Sequence, residues 1–139
     1  MEQFYYLGQL CLAVLLGGVL GLQRERWGKP AGPRTHALVT AGSALFTILS
    51  IHAFGPNEMG RVASNIVVGI GFLGAGLIFH QGNDRVHNLT TAAGLWAAAA
   101  MGMAIGVGYY VLAVGATALM LILLMIDDTG LKKDKNDVN

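Results

Sequence analysis

Charged side chains are scarce in this chain of 139 residues, where they make up 12% of the total. An average soluble domain carries about 25%. Hydrophobic residues make up 54%, and the formal net charge is only +1. This balance offers no basic surface for nucleic acid, so we do not expect nucleic-acid binding. The composition instead indicates an integral membrane protein whose partner is the lipid bilayer.

The chain has a single cysteine and no acidic residue in the middle of an apolar segment. Cys11 is the only cysteine, which excludes an intrachain disulfide and a cysteine metal site. Every acidic residue lies in a terminus or a loop: Glu2, Glu25, Glu58, Asp84, Asp127, Asp128, Asp134 and Asp137. Magnesium prefers carboxylate ligands, and proton-coupled carriers place ionisable groups within their spans. The sequence therefore argues against a carrier, predicts no cofactor, and leaves any metal ligand unassigned.

Other chemistry is weakly supported. The histidines lie near the ends of apolar segments, and no nucleophile with an adjacent base is forced by position, so an enzyme is not expected. His80, Asp84 and His87 share one loop, which leaves a weak metal site as an alternative.

The apolar residues form segments long enough to cross a membrane as helices, so we predict an all-α bundle of about five transmembrane helices. The run 89–125 would be about 55 Å long as one helix, too long for a single crossing. We divide it at Gly106–Tyr110. The N-terminus lacks a basic n-region and a cleavage site, which indicates a retained first span. The predicted spans are 4–22, 37–54, 62–79, 89–106 and 109–126, followed by a charged tail at 127–139.

Glycines crowd the third span. Gly69, Gly71, Gly74 and Gly76 would each destabilise a soluble helix by up to about 1 kcal/mol relative to alanine. In lipid, glycines allow close approach of another helix, so we predict that span three lies at the centre of the bundle. Residues 69–74 spell the nucleotide-binding pattern GxGxxG, but the strand and the distant acid that this motif requires are missing.

The fourth span has a second row of small residues at intervals of four: Gly94, Ala98, Gly102 and Gly106. This spacing predicts close helix contact along one face. Together the two glycine patterns favour self-association, with a dimer as the first expectation.

Hydroxyl side chains follow one face of the second span. Thr40, Ser43, Thr47 and Ser50 recur at intervals of three and four, and His36 extends the line. The hydroxyls could bond to carbonyls of their own helix or to a neighbour, or they could line a polar path through the membrane. In the third span Asn65 lies one helical turn beyond Arg61, and a carboxamide at that depth needs a partner.

Basic residues are distributed unequally between the two sides of the membrane. The loop 23–36, the loop 80–88 and the tail hold eight lysines and arginines, whereas the other side holds only Arg61. The positive-inside rule therefore places the N-terminus outside and the C-terminus in the cytoplasm.

Several of these charges converge between the first two spans, in a group that we call the charge cluster: Arg24, Glu25, Arg34, Thr35 and His36. Glu25 could pair with Arg34 across the turn. The cluster is either a solvated loop without a specific role or a structural or ligand-binding site.

Three segments, in this order, resemble the MgtC/SapB family of bacterial inner-membrane proteins. They are GLQRERWGKPAGPRTHALVTAGSALF at 21–46, RVASNIVVGIGFLGAGLIF at 61–79 and LTTAAGLWAAAAMGMAIGVGYY at 89–110. The resemblance implies a multi-span membrane protein linked to magnesium limitation and stress adaptation. It places family motifs on Arg24, Glu25, Arg34 and Thr35, on Arg61 and the glycines 69 to 76, and on Thr90, Thr91 and Trp96.

The resemblance implies regulation of other membrane machines, including an ion-translocating ATPase. Two departures matter: Gln23 stands where many members have an acid, and the soluble domain of some members is lacking here. We therefore expect a non-enzymatic membrane regulator or accessory protein in magnesium or ion homeostasis that acts through helix contacts. The alternative is a cation channel or carrier lined by the hydroxyls of span two and Asn65.

Overall fold

Five α-helices make up the fold in a computed structural model, which describes residues 1–55, 57–79 and 87–126. In chain order they are α1 (Glu2–Arg26), α2 (Pro33–His52), α3 (Met59–Phe79), α4 (Leu89–Gly106) and α5 (Tyr110–Met125). No strand occurs within these ranges, so the prediction of an all-α membrane bundle is confirmed. The predicted tail at 127–139 lies outside the described residues.

Four of the helices, α1 to α4, are long and apolar enough to cross a membrane. The fifth, α5, is apolar but has only 16 residues. Its length is about 24 Å at 1.5 Å per residue, somewhat less than the hydrocarbon core of a bilayer. A fifth crossing therefore stays a prediction.

Glycines with positive φ angles divide the helices at two turns. Gly28, at φ +63°, follows the end of α1 and allows the Lys29 N–H to bond the Arg24 carbonyl at 3.0 Å. Gly108, at φ +86°, separates α4 from α5, and the adjacent Tyr109 N–H bonds the Ala104 carbonyl at 2.8 Å. Both turns reverse the chain within a few residues and make the joined helices antiparallel neighbours.

The centre of the bundle is α4, which contacts each of the other four helices. In its most apolar window 44% of the residues are buried, against 11% for α3. Helix α3 contacts only α2 and α4. The prediction that the third span lies at the centre is therefore wrong for this chain: its glycines are numerous, but another helix occupies the core.

The glycines of α3 show the same correction residue by residue. A Cβ added at Gly69, Gly71 or Gly76 would meet no described atom within 4 Å, so these three do not pack against another helix of the chain. Gly74 is buried, with the Ala92 Cβ 3.5 Å from the position that its own Cβ would take, an ordinary contact. Of these four glycines of α3, Gly74 is therefore the one that packs against another described helix.

Close packing occurs instead on both sides of α2. A Cβ at Gly106 of α4 would lie 2.8 Å from the Ala44 carbonyl oxygen, and one at Gly102 would collide with the Thr40 carbonyl oxygen. On the α1 side, a Cβ at Gly17 would lie 2.7 Å from the His36 carbonyl oxygen. Because these atoms belong to the backbone, side-chain rotation cannot relieve such contacts.

The small-residue row of α4 is thus a helix contact for most of its length. Ala98 is fully buried in the cluster that joins α4 to Val39 of α2 and Ile66 of α3. Gly94 is looser, because a Cβ there would meet only the His36 Nε2, at 3.7 Å. The outside of the bundle is covered by large exposed apolar side chains, as expected of a surface in contact with lipid.

Five helix ends lie at one end of the bundle, which we call the basic end: the C-termini of α1, α3 and α5 and the N-termini of α2 and α4. It holds Arg24, Arg26, Lys29 and Arg34, whereas Arg61 belongs to the start of α3 at the opposite end. The other basic residues counted in the sequence lie outside the described ranges.

Candidate functional site

The charge cluster divides into buried and exposed members. Arg24 is 4% exposed and His36 is fully buried, although both belong to a short polar region beside a membrane surface. Glu25, Arg34 and Thr35 are exposed. The structure therefore brings Arg24 and His36 into the interior of the basic end and leaves the other three at its rim.

Arg24 lies in the last turn of α1, where α1 packs against the beginning of α4. Its Nη2 donates a hydrogen bond to the Thr91 Oγ1 at 2.9 Å, and its Nε is buried without a partner among the described residues. A guanidinium offers five N–H donors, and a buried cation normally has an anionic partner. Within the described ranges no carboxylate forms an ion pair with Arg24.

The N-terminus of α4 lies beside this guanidinium. Asn88, at φ +64°, precedes the helix and contributes no side-chain cap. The first helical bond runs from the Ala92 N–H to the Asn88 carbonyl, so the amides of residues 89–91 have no acceptor within the helix. A cavity of about 320 Å³ opens here, and its lining includes Arg24, Lys29, Asn88, Thr90 and Thr91.

His36 lies deeper, between α1, α2 and α4. Its Nδ1 is 3.1 Å from the Gly32 carbonyl oxygen, a distance that fits donation by Nδ1, whereas Nε2 is buried without a described partner. Gly94 leaves the space in which the ring lies, because a Cβ there would be 3.7 Å from Nε2. His36 therefore joins the start of α2 to α4 rather than facing solvent.

The suggested pairing of Glu25 with Arg34 is absent. Among the described residues the ion pair that forms joins Arg61 to Glu58, at 3.5 Å, and the Arg61 side chain is 74% exposed. The interpretation of Arg61 as buried is therefore wrong, and so is that of Asn65 and Thr90, which are also exposed within the chain. Arg61 and Thr90 lie in the first turns of α3 and α4, and Asn65 lies on an exposed face of α3.

The hydroxyl stripe of α2 is buried within the chain, and three of its four hydroxyl groups bond to carbonyls of the same helix. Thr40 donates to the His36 carbonyl at 2.9 Å, and Thr47 donates to the Ser43 carbonyl at 2.8 Å. Ser50 donates to the Thr47 carbonyl at 2.7 Å. Thr40 packs against Gly17 and Gly102, and Thr47 packs against Gly106. The stripe is therefore largely a contact surface between helices, and Thr47 and Ser50 at its far end also line a cavity of about 420 Å³.

Sequence reasoning missed the polar bridges that α1 makes. Gln9 is buried, and its Nε2 donates to the Ile105 carbonyl and the Tyr110 hydroxyl, each at 2.8 Å. Gln23 donates to the Leu124 carbonyl at 3.0 Å. A lone carboxamide in an apolar segment was the available signal, since the argument made for Asn65 applies equally to Gln9.

Metal chemistry has limited support in the described part of the chain, where no group of three histidine, cysteine or acidic side chains comes together. Of the residues in the suggested loop site, only His87 is described, and it is exposed. His80 and Asp84 lie outside the described residues.

The sequence matches one protein family over nearly its whole length. The model of the MgtC family matches residues 10–130. SrpB of Synechococcus elongatus is 43% identical over 129 residues, which cover 84% of this chain and 71% of SrpB. MgtC of Salmonella typhimurium is 45% identical over 121 residues, which cover 87% of this chain and 52% of MgtC.

A third relative is a protein of Escherichia coli named "Putative magnesium transporter YhiD". It is 40% identical over 126 residues, which cover 85% of this chain and 58% of YhiD. The chain thus spans between about half and 71% of the length of these relatives. No solved structure matches the fold.

Proposed function

Because the chain belongs to the MgtC family, we propose that this bacterial membrane protein is a regulator or accessory protein in magnesium and ion homeostasis. The name of the Escherichia coli relative refers to magnesium, which supports this assignment. The proposal concerns the membrane part that the relatives share, since the chain spans 52% of MgtC. In this proposal the protein acts without catalysis, through helix contacts with another membrane protein or with a second copy of itself.

The observation that carries this proposal is the use of the polar groups of α2. Thr40, Thr47 and Ser50 each donate to a carbonyl of α2, and Thr40 and Thr47 also pack against glycines of neighbouring helices. A channel or carrier needs polar groups that face a hydrated path, with ionisable groups marking it. Between the ends of the described helices, the hydroxyls of Thr40, Thr47, Ser50 and Thr117 donate to carbonyls of their own helix. This arrangement favours the accessory function over the alternative of a cation channel or carrier.

The proposed contact surface is the outer face of α3, defined by Asn65, Gly69, Phe72 and Gly76. These residues are spaced by three and four, so they share one side of the helix, and all four are exposed. A carboxamide turned towards acyl chains is costly, and glycines without a neighbour gain no dispersion contacts. A second helix packed against this face would give the Asn65 carboxamide a polar partner and the glycines their dispersion contacts.

A second copy of the chain is the occupant that we propose for this surface. Part of this surface lines a mostly apolar groove of about 600 Å³ between α2 and α3, where Asn65 and Gly69 face Ser43 of α2, and the groove leaves room for the side chains of a neighbouring helix. The dimer would lie in the inner membrane with the N-terminus outside and the C-terminus in the cytoplasm, because the described basic residues concentrate at one end. An ion-translocating ATPase is the kind of membrane machine that the same surface would regulate.

Cysteine cross-linking tests the surface. Cys11 is the only cysteine, so Cys11→Ala gives a cysteine-free background. Phe72→Cys on α3 and Leu119→Cys on α5 are a matched pair, since each residue is exposed and lies about two turns from the basic end of its helix. We expect covalent dimers from position 72 and none from position 119. Equal cross-linking at both positions, or none at 72, would contradict a dimer through α3.

A co-purification experiment tests the regulatory function. The chain is isolated in mild detergent from cells grown at low and at high magnesium, in its natural form and with Gly76→Leu, which fills the outer face of α3. We expect a membrane-protein partner to be enriched at low magnesium and lost with Gly76→Leu at unchanged abundance. Identical co-purifying proteins under all conditions would refute regulation through this face.

A further inference from the structure

The cavity at the basic end contains a cation whose hydrogen-bonding capacity is largely unused. Arg24 is 4% exposed, and its one side-chain hydrogen bond to a described residue goes to Thr91. The buried Nε has no partner among the described residues. A guanidinium has five donors and a permanent charge, and this one lies in the cavity wall with one acceptor among the described residues. A site of this kind is incomplete without an anion.

A second element of the same cavity also favours negative charge. The amides of residues 89–91 at the start of α4 have no helical acceptor, and Asn88 does not cap them. The positive end of the helix dipole therefore lies at the cavity. In other proteins, oxyanions bind at this end of a helix. Lys29 adds a further cation, and the hydroxyls of Thr90 and Thr91 add donors. The lining contains no acidic residue among those described.

The remaining wall of the cavity is apolar. Leu123, Leu124 and Ile126 of the C-terminal part of α5 complete it, together with the ring of Trp27. Trp27 is 43% exposed, as is common for a tryptophan at the level of lipid headgroups. The cavity therefore combines a cationic region at the membrane surface with an apolar region that leads along α5.

We propose that this cavity binds a phosphate group, carried either by an anionic phospholipid or by a small soluble compound. Arg24 would donate from its free N–H groups, the first turn of α4 would donate backbone amides, and Lys29 would neutralise charge at the rim. Arginine forks and helix N-termini both match the tetrahedral oxygens of phosphate. The apolar wall on α5 fits the beginning of an acyl chain, so a phospholipid uses the whole cavity.

The chain itself could supply the anion, and this alternative defines a control. Asp127 and Asp128 directly follow Ile126 in the sequence. A tail carboxylate in the cavity would neutralise Arg24 and exclude phosphate. Replacing both with asparagine separates this outcome from a binding site for an external ligand.

Fluorescence quenching tests the lipid source. The chain has two tryptophans, so Trp96→Phe leaves Trp27 as a reporter in the cavity wall. The full chain is placed in phosphatidylcholine nanodiscs that contain a small fraction of phosphatidylglycerol brominated on its acyl chains, or of equally brominated phosphatidylcholine. High salt screens the general attraction of anionic lipid to basic loops. We expect stronger quenching by the brominated phosphatidylglycerol.

Three substitutions locate the effect. Lys29→Gln and Arg24→Gln should each lower the preference for phosphatidylglycerol by about fivefold. Arg26→Gln is the matched control, since Arg26 belongs to the same helix end but is exposed and does not line the cavity. It should leave the preference unchanged. If Arg24→Gln prevents folding, the comparison of phosphatidylglycerol preference between Lys29→Gln and Arg26→Gln still tests the site.

Inorganic phosphate tests the soluble source in nanodiscs of phosphatidylcholine alone. A rise in unfolding temperature with phosphate, lost in Lys29→Gln and kept in Arg26→Gln, would assign the site to a soluble phosphate compound. Quenching by phosphatidylglycerol that phosphate does not displace would assign it to lipid. The proposal is overturned if neither probe binds, if Arg26→Gln acts like Lys29→Gln, or if binding appears only after Asp127→Asn and Asp128→Asn.

Discussion

Gly102 of α4 lies directly against the backbone of Thr40 in α2, so closely that a Cβ at position 102 would collide with the Thr40 carbonyl oxygen. Thr40 is fully buried, and on its other side Gly17 of α1 makes an equally close approach. One residue of α2 thus separates glycines of two different helices. This contact explains why α1, α2 and α4 form the closely packed part of the bundle while α3 lies at its edge.

Gly102→Ala should therefore destabilise the protein strongly. The added methyl group meets backbone atoms that can move only with the whole helix, and overpacking of this kind costs about 1–3 kcal/mol or more. Gly71→Ala is the matched control, because a Cβ there would meet no described atom within 4 Å. Thermal unfolding in detergent should show a lower transition for Gly102→Ala and an unchanged or higher one for Gly71→Ala. Equal transitions would contradict the central position of α4.

Thr91→Val should leave Arg24 buried without its hydrogen-bond acceptor. Removing one partner from a buried polar pair costs about 1–3 kcal/mol, and more when the partner left behind is charged. Thr90→Val changes the same chemical group in the adjacent, exposed residue and should cost little. The two variants can be compared by unfolding temperature in detergent. A similar loss in both would mean that the hydrogen bond to Arg24 adds no stability.

Gln9→Leu tests the opposite end of the bundle. Gln9 bridges α1 to the Ile105 carbonyl and to Tyr110, and polar contacts between membrane helices contribute about 0.6 kcal/mol on average. Since the side chain is buried, we expect a modest fall in the unfolding temperature. Gln3→Leu, at an exposed position of α1, should cause none. A fall of the same size at Gln3 would indicate a general effect of hydrophobicity.

Glu25→Gln separates the function of the charge cluster from folding. Glu25 is exposed and forms no ion pair within the described ranges, so its charge should matter little for abundance. If the rim of the cluster contacts a ligand or partner, growth at low magnesium should be impaired when this variant replaces the natural chain. Glu2→Gln, at the other end of α1, is the control. Reduced growth accompanied by an equal loss of protein from membranes would make Glu25 a folding residue.

The class of protein and its helices could be predicted from the sequence, because lipid imposes long apolar segments that composition alone reveals. The position of each helix in the bundle could not. The small residues at 94, 98, 102 and 106 recur every four positions and so stay near one face, where they meet α2. Gly69, Gly71, Gly74 and Gly76 do not share one face, since Gly71 is rotated by about 200° from Gly69. The number of glycines in α3 favoured a central position for this helix, but the distribution of the glycines around the helix axis predicts close packing better.

The candidate site was predicted only in part for a similar reason. The sequence placed Arg24 and His36 in a charge cluster but could not show which members turn inwards, because this depends on where the start of α4 lies over the end of α1. Thr91 was predicted to be buried, but its hydrogen bond to Arg24 was not predicted, because the two residues are 67 positions apart in the sequence. Contacts between distant segments leave no periodic pattern in either segment.

Magnesium flux tests most directly the claim that the buried polar groups serve helix packing and not permeation. The purified chain is reconstituted into sealed liposomes that contain a magnesium-sensitive dye, and Mg²⁺ is added outside. Protein-free liposomes are the reference. Our account predicts that the gradient is held as well with the protein as without it. A protein-dependent entry of Mg²⁺ that Thr47→Val or Asn65→Leu abolishes would contradict it.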